Sequence, residues 1–240
     1  KCLYCFGLNI CVTIRTSTHM KNILLTGGTG YIASHTAVSL IQQGYQVVLL
    51  DNLSNSKEST VLGIESITGI RPVFEYADVT NLRQLRSVFE KHYFSAVIHF
   101  AGLKAVGESV ANPLHYYQNN VLGSSNILSV MAEFDCKHIV FSSSCTVYGK
   151  SKNLPLTEAS PLLPVNPYGR SKLMVENMLE DLFKADPTWV VSILRYFNPA
   201  GAHPSGLIGE DPLGAPGNLL PYTAQVSSGK RPELMVYGDD

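Results

Sequence analysis

The chain has 240 residues, 45% of them hydrophobic and 15% charged, so it can bury a real core and is not disordered by composition. Lys and Arg total 18 against 19 for Asp and Glu, which leaves no basic footprint for nucleic acid or an anionic membrane surface and points to small-molecule partners. Cys2, Cys5 and Cys11 crowd the start while Cys136 and Cys145 stand alone; that makes neither a disulfide framework nor a four-ligand zinc set, so no metal is expected and the later thiols are expected reduced, in the cytoplasm.

Residues 1–19 stand apart. Cys2 to Ile14 has about the length of a signal-peptide apolar core, yet no small-residue cleavage site follows, and a bilayer span needs about 20 apolar residues. Met20 is read as the natural start and residues 1–19 as an extension without a functional part. An N-terminal targeting segment is the alternative.

Lys21 to Ala33 reads as strand, glycine turn and helix: the apolar run Ile23-Leu24-Leu25 enters Gly27-Gly28-Thr29-Gly30, and Tyr31-Ile32-Ala33 heads an apolar-periodic segment. Glycines let a backbone approach a pyrophosphate, and a helix N-terminus presents unpaired N–H groups with a favourable dipole. The helix closes at Gly44, and Gln46 to Leu50 forms a second strand ending in Asp51. An acidic side chain about 20 residues beyond the glycines suits the ribose hydroxyls of NAD and disfavours a 2′-phosphate, although an Asp at a strand end also caps helices.

Alternation then continues with a strand at Pro72 to Tyr76, a helix at Leu82 to Tyr93, a strand at Ala96 to Phe100 and a long helix from Pro113 to Phe134. A strand at His138 to Ser142, a helix at Tyr168 to Lys184 and a strand at Val190 to Leu194 follow. Such alternation predicts an α/β fold, a Rossmann-like doubly wound parallel sheet with ligands beyond the C-terminal strand ends. From Arg195 the chain is rich in Gly and Pro and reads as an irregular ligand-wrapping loop, with a helix at Leu219 to Ser228 and a last strand at Glu233 to Tyr237. The division expected is residues 20–195 for cofactor binding and 196–240 for part of a substrate region.

Three residues carry candidate chemistry. Ser144 follows the His138 strand, and Tyr168 with Lys172 sit four apart on one helix face. A tyrosine hydroxyl ordinarily titrates at about pH 10, but it becomes a usable base beside an ammonium and a bound cationic nicotinamide. A phenolate next to a hydroxyl donor removes a proton from a sugar or alcohol oxygen while hydride leaves the carbon.

Long stretches in order, TGGTGYIA, DNLSNS, HFAGLKAVGES, YYQNNV, FSSSCTVYG, NPYGRSKLMVE and RYFNPAGAHPSG, resemble the extended short-chain dehydrogenase/reductase family, and within it the branch acting on nucleotide sugars. The resemblance implies bound NAD and a UDP-sugar substrate, with C4 epimerisation between UDP-glucose and UDP-galactose through a 4-keto sugar. It implies that Gly27, Gly30, Tyr31 and Ile32 face the pyrophosphate and that Asp51, Asn52, Leu53, Ser54, Asn55 and Ser56 hold the adenosine ribose side. Asp78 and Val79 would flank the adenine, and Phe100, Ala101, Gly102, Leu103, Lys104 and Asn119 would line the cofactor further along. Ser144, Tyr168 and Lys172 would form the catalytic group, contacting cofactor too, with Phe197 beside the nicotinamide. Lys104, Ser144, Tyr168, Asn198, Asn218, Leu219, Met235, Val236 and Tyr237 would meet the substrate. A homodimer through the helices around Asn119 and Tyr168 is implied as well.

Two departures stand out: Ala33 replaces the third fingerprint glycine, a packing position, and the family is expected to continue past the end of this chain. A 4,6-dehydratase of the same family would carry Asp-Glu where Cys145-Thr146 stand. The other alternative is an NAD-binding remnant without turnover.

Overall fold

A computed structural model describes residues 3–5, 8–10, 21–151, 154–214, 216–236 and 238. Of the first nineteen residues only two short strands are described, β1 (Leu3–Cys5) and β2 (Leu8–Ile10), which pair antiparallel in a sheet of their own. The remaining expectations for residues 1–19 lie outside the described residues.

The main sheet contains β3 (Asn22–Thr26), β4 (Gln46–Asp51), β5 (Val73–Tyr76), β6 (Ala96–His99), β7 (His138–Ser144) and β8 (Val190–Tyr196). Every pairing is parallel and the order is β5-β4-β3-β6-β7-β8. The chain starts this sheet at β3, builds outward to β5, then returns to place β6 on the other side of β3. The topological switch point therefore lies between β3 and β6, the place at whose strand ends doubly wound sheets form their ligand crevice.

Period-two patterning builds two cores. Leu24, Val48, Leu50, Val97, Ile139 and Phe141 face α3 (Leu82–Lys91), α6 (Gly123–Glu133) and α7 (Pro167–Ala185), while Ile23, Leu25, Val47 and Leu49 face α1 (Tyr31–Gln42) and α2 (Ser59–Thr68). Each such side chain, fully buried, contributes roughly 1.5–3 kcal/mol, which fixes the register, because a slip by one residue would exchange the two faces.

Two expectations change. The helix foreseen from Pro113 to Phe134 is divided into α5 (Pro113–Tyr116), a π-helical turn (Tyr117–Leu122) and α6, with a short α4 (Val106–Ala111) ahead of it. The wider turn carries Asn120 into the protein, where its side chain hydrogen-bonds backbone and a serine, a geometry that π-turns often serve at functional sites. The strand foreseen at Glu233 to Tyr237 is not found over its described part: residues 233–236 are irregular and belong to neither described sheet, while Tyr237 is outside the described residues. The last helix is present as α8 (Leu219–Ser227), with none of its residues buried. Among the described residues no helix is long and apolar enough to cross a membrane.

Candidate active site

The glycine turn joins β3 to α1 at the switch point. Gly27 has φ +64, and a Cβ there would sit 2.8 Å from the Ala101 backbone nitrogen, so a larger residue would push apart the two strand ends that form the crevice. Gly30 caps α1, and no acidic side chain occupies the first turn of that helix, leaving the N–H groups of Tyr31, Ile32 and Ala33 without intrahelical acceptors and available to an anion.

At the end of β4, Asp51 is 8% exposed. It accepts from the Thr29 amide at 3.1 Å, from the Leu53 amide at 2.8 Å and from the Ser56 hydroxyl at 3.1 Å. Ionised carboxylate has about four acceptor positions, so one remains for a ribose hydroxyl. Asp78, past β5, accepts from Asn52 at 2.8 Å and from the Thr80 amide and hydroxyl; burial would raise its carboxyl, yet these donors hold it below the usual value. Val79 is buried in the core, so only its backbone is left to meet a ligand.

Ser144 closes β7 and caps the 3-10 turn Cys145–Tyr148 by accepting from the Thr146 amide at 3.2 Å. Asn166 caps α7 through the Gly169 amide and Pro167 occupies the first position of the helix, where its missing N–H costs nothing. A Cβ on Gly169 would lie 2.8 Å from the Thr146 carbonyl. The glycine thus permits the turn carrying Ser144 to press onto the first turn of α7, which carries Tyr168.

Lys172, one turn on, is 5% exposed and donates to the Ser142 carbonyl at 2.8 Å, with its Nζ 4.9 Å from the Phe141 ring centre and 6.0 Å from that of Tyr168. Burial pushes its ammonium down to about 8, opposed by Glu176. Burial raises the Tyr168 hydroxyl, and the Ser144 hydroxyl beside it acts the other way. The three expected catalytic side chains are brought together.

Behind them runs a polar chain that sequence reasoning missed. His99 is 1% exposed and bridges the Thr26 hydroxyl, at 2.6 Å, and the Ser124 hydroxyl, at 2.9 Å. Ser124 donates to the Asn120 carbonyl, and the Asn120 amide brackets Leu103, accepting from its N–H at 2.8 Å and donating to its carbonyl at 3.0 Å, while also donating to Ser171. Loop Phe100 to Lys104 is held by this chain. Asn119, foreseen in the site, is half-buried on the same π-turn; Asn120 beside it was the available signal.

The loop after β8 crosses the same edge. Gly201 accepts from the Tyr31 hydroxyl at 2.7 Å, Asn55 accepts from the Leu213 amide at 3.2 Å, Lys57 pairs with Asp211 at 2.6 Å, and Ile208 is buried against α1 and α2. Glu210, not foreseen, accepts from Lys104 at 2.7 Å and from Asn218 at 2.8 Å, so two residues expected at the substrate share one carboxylate. Phe197, Asn198, Leu219, Met235 and Val236 are exposed, and the structure does not gather them into a closed pocket.

The NAD dependent epimerase/dehydratase family matches residues 23–240. The chain is 52% identical over 227 residues to UDP-glucose 4-epimerase 1 of Oryza sativa subsp. japonica, covering 93% of this chain and 64% of the relative. It is 56% identical over 219 residues to UDP-glucose 4-epimerase of Neisseria gonorrhoeae, covering 91% and 65%. Among solved structures, that of UDP-glucose 4-epimerase from Bifidobacterium longum in complex with NAD+ and UDP is similar with a TM-score of 0.89 and 49% identity, over 92% of this chain and 66% of that one. The chain thus spans about 64% of the length of the curated relatives it matches.

Proposed function

The chain belongs to the NAD dependent epimerase/dehydratase family, and from that premise we propose that it binds NAD along the C-terminal strand edge and interconverts UDP-glucose and UDP-galactose at the sugar C4. The observation carrying this reading is the convergence of Ser144, Tyr168 and Lys172 at the end of β7, on the same sheet edge as the Gly27–Tyr31 turn and Asp51. The residues fit the cofactor: a glycine turn opening a helix with no acid in its first turn, and a carboxylate with acceptor capacity at the next strand end.

NAD, when bound, supplies the hydride acceptor and donor for the sugar carbon. Tyr168 takes the proton of the 4-hydroxyl and later returns one, so the sugar passes through a 4-keto form that turns over in the site. Ser144 hydrogen-bonds that oxygen and Lys172 provides the positive charge that favours the phenolate. Residues 20–195 hold the cofactor, and residues 196–240 contribute Asn198, Asn218, Leu219 and Met235 through Tyr237 to the substrate, with Lys104 reaching across to it.

Two broader assignments complete the proposal. A homodimer forms on the face holding the π-turn and α7; supporting it is an apolar groove of about 490 Å³ lined by Tyr117, Val121, Leu122, Met174 and Met178, with Leu122 and Met174 exposed. The protein works in the cytoplasm, in keeping with free Cys136 and Cys145.

The test is to release and quantify bound NAD from the purified chain, incubate the chain with UDP-galactose and separate UDP-glucose. Conversion that drops at least a hundredfold in Tyr168→Phe is expected. NAD bound with no conversion would instead favour a nucleotide-binding chain without turnover.

A further inference from the structure

Glu176 lies one helical turn beyond Lys172 on α7 and is 1% exposed, yet the chemistry proposed for the site leaves it without a role. Both its oxygens are engaged. Arg195 of β8 donates from Nη2 to Oε2 at 2.7 Å and from Nε to both oxygens at 3.2 Å, and the Ser143 hydroxyl donates to Oε1. Arg195 in turn donates to the Tyr148 hydroxyl at 3.0 Å, with its guanidinium 5.1 Å from that ring centre, and to the Glu158 carbonyl.

This network ties four pieces of the site: the strand end carrying Ser142, Ser143 and Ser144, the 3-10 turn ending in Tyr148, the α7 face carrying Tyr168 and Lys172, and β8. A buried ion pair is a poor source of net stability against apolar residues of the same volume, because both charges are desolvated. Its position one turn from a buried ammonium gives it another use.

We propose that Glu176, held by Arg195, is a positioning residue of the site: it fixes the Ser142–Ser144 strand end and supplies the negative charge that keeps Lys172 an ammonium. The proposal rests on the reading of Tyr168 and Lys172 as the reacting pair. The groups around Lys172 leave Glu176 as the source of that charge. On α7, Tyr168 lies one turn before it, its ring centre 6.0 Å from Nζ, and Glu176 one turn after it; from β6 it faces His99, which burial keeps neutral. From β7 it meets the Ser142 carbonyl and the Phe141 ring, and near its Nζ lie Gly102 and the Asn120 amide. Arg195 stands beyond Glu176 and tempers its charge.

The experiment follows the side-chain Cε and Nζ resonances of Lys172 by NMR against pH in the intact chain, assigned by their loss in Lys172→Met. Glu176→Gln removes the carboxylate and leaves the Arg195 charge, so the Lys172 midpoint is expected to fall by one pH unit or more, a tenfold loss of proton affinity. Arg195→Gln frees the carboxylate to face Lys172, so the midpoint is expected to rise. Glu176→Asp is expected to restore most of the native value. If a single variant does not fold, Glu176→Gln with Arg195→Gln, which leaves no unpaired buried charge, is measured instead and is expected to titrate below the native chain. Midpoints that do not move, singles that shift in the same direction, or failure of all these variants to fold would overturn the proposal. A chain that lacks epimerase activity but shows these shifts would fail the functional reading and keep this one.

Discussion

At the scale of single residues, Lys172 carries a stability cost at the centre of the proposed site. In the folded chain its ammonium loses its proton near pH 8, against an ordinary value of 10.5. The unfolded chain therefore holds more protons between those values, and stability rises with pH across the window as the native lysine becomes neutral. Lys172→Met is expected to raise stability at pH 7 by about 1–3 kcal/mol in urea denaturation, the cost of burying charge less the bond to Ser142. That advantage shrinks from pH 8 to 10.5, and an advantage constant with pH would contradict the account. That Ser144, Tyr168 and Lys172 meet was legible in sequence, because spacing on one helix and a strand end place them together. Glu176, Arg195, Asn120 and Glu210 were not, since each earns its place through partners far along the chain.

Between elements, His99 joins β3 to α6, and its burial holds the imidazole down at about 3 against an ordinary 6.5. Stability from keeping it neutral is complete above pH 6.5 and lost as pH falls toward 3, because only the unfolded chain takes up the proton. His99→Gln is expected to flatten the acid limb of a stability profile by up to about 1.4 kcal/mol per pH unit; an unchanged limb would assign acid lability elsewhere. Gly169→Ala tests the contact between the Ser144 turn and α7. Its Cβ meets backbone at Thr146, and overpacking of this kind costs about 1–3 kcal/mol. The expected result is a lower kcat with UDP-galactose and a nearly unchanged NAD content. The six strands of the main sheet were readable because buried runs bounded by polar ends have few other uses. The run at Glu233 to Val236 has the same texture but joins neither described sheet, and a run that makes no ladder is not a strand.

For the whole molecule, the all-parallel order β5-β4-β3-β6-β7-β8 puts the C-terminal ends of β3, β4, β6 and β7, with Gly27, Asp51, Phe100 and Ser144 at or just past them, on one edge, and a parallel sheet of this kind was expected from alternation. What alternation does not convey is which helical face would meet a second copy in the proposed homodimer. Light scattering at micromolar concentration is expected to give twice the chain mass, and Leu122→Lys with Met174→Lys to give the single mass. The most direct measurement of the central claim, a redox-neutral inversion at one carbon, uses UDP-galactose carrying deuterium at C4 in ordinary water. The account predicts UDP-glucose that keeps the label at C4, formed by the native chain and not by Tyr168→Phe. Label lost to water, or equal conversion by Tyr168→Phe, would contradict it.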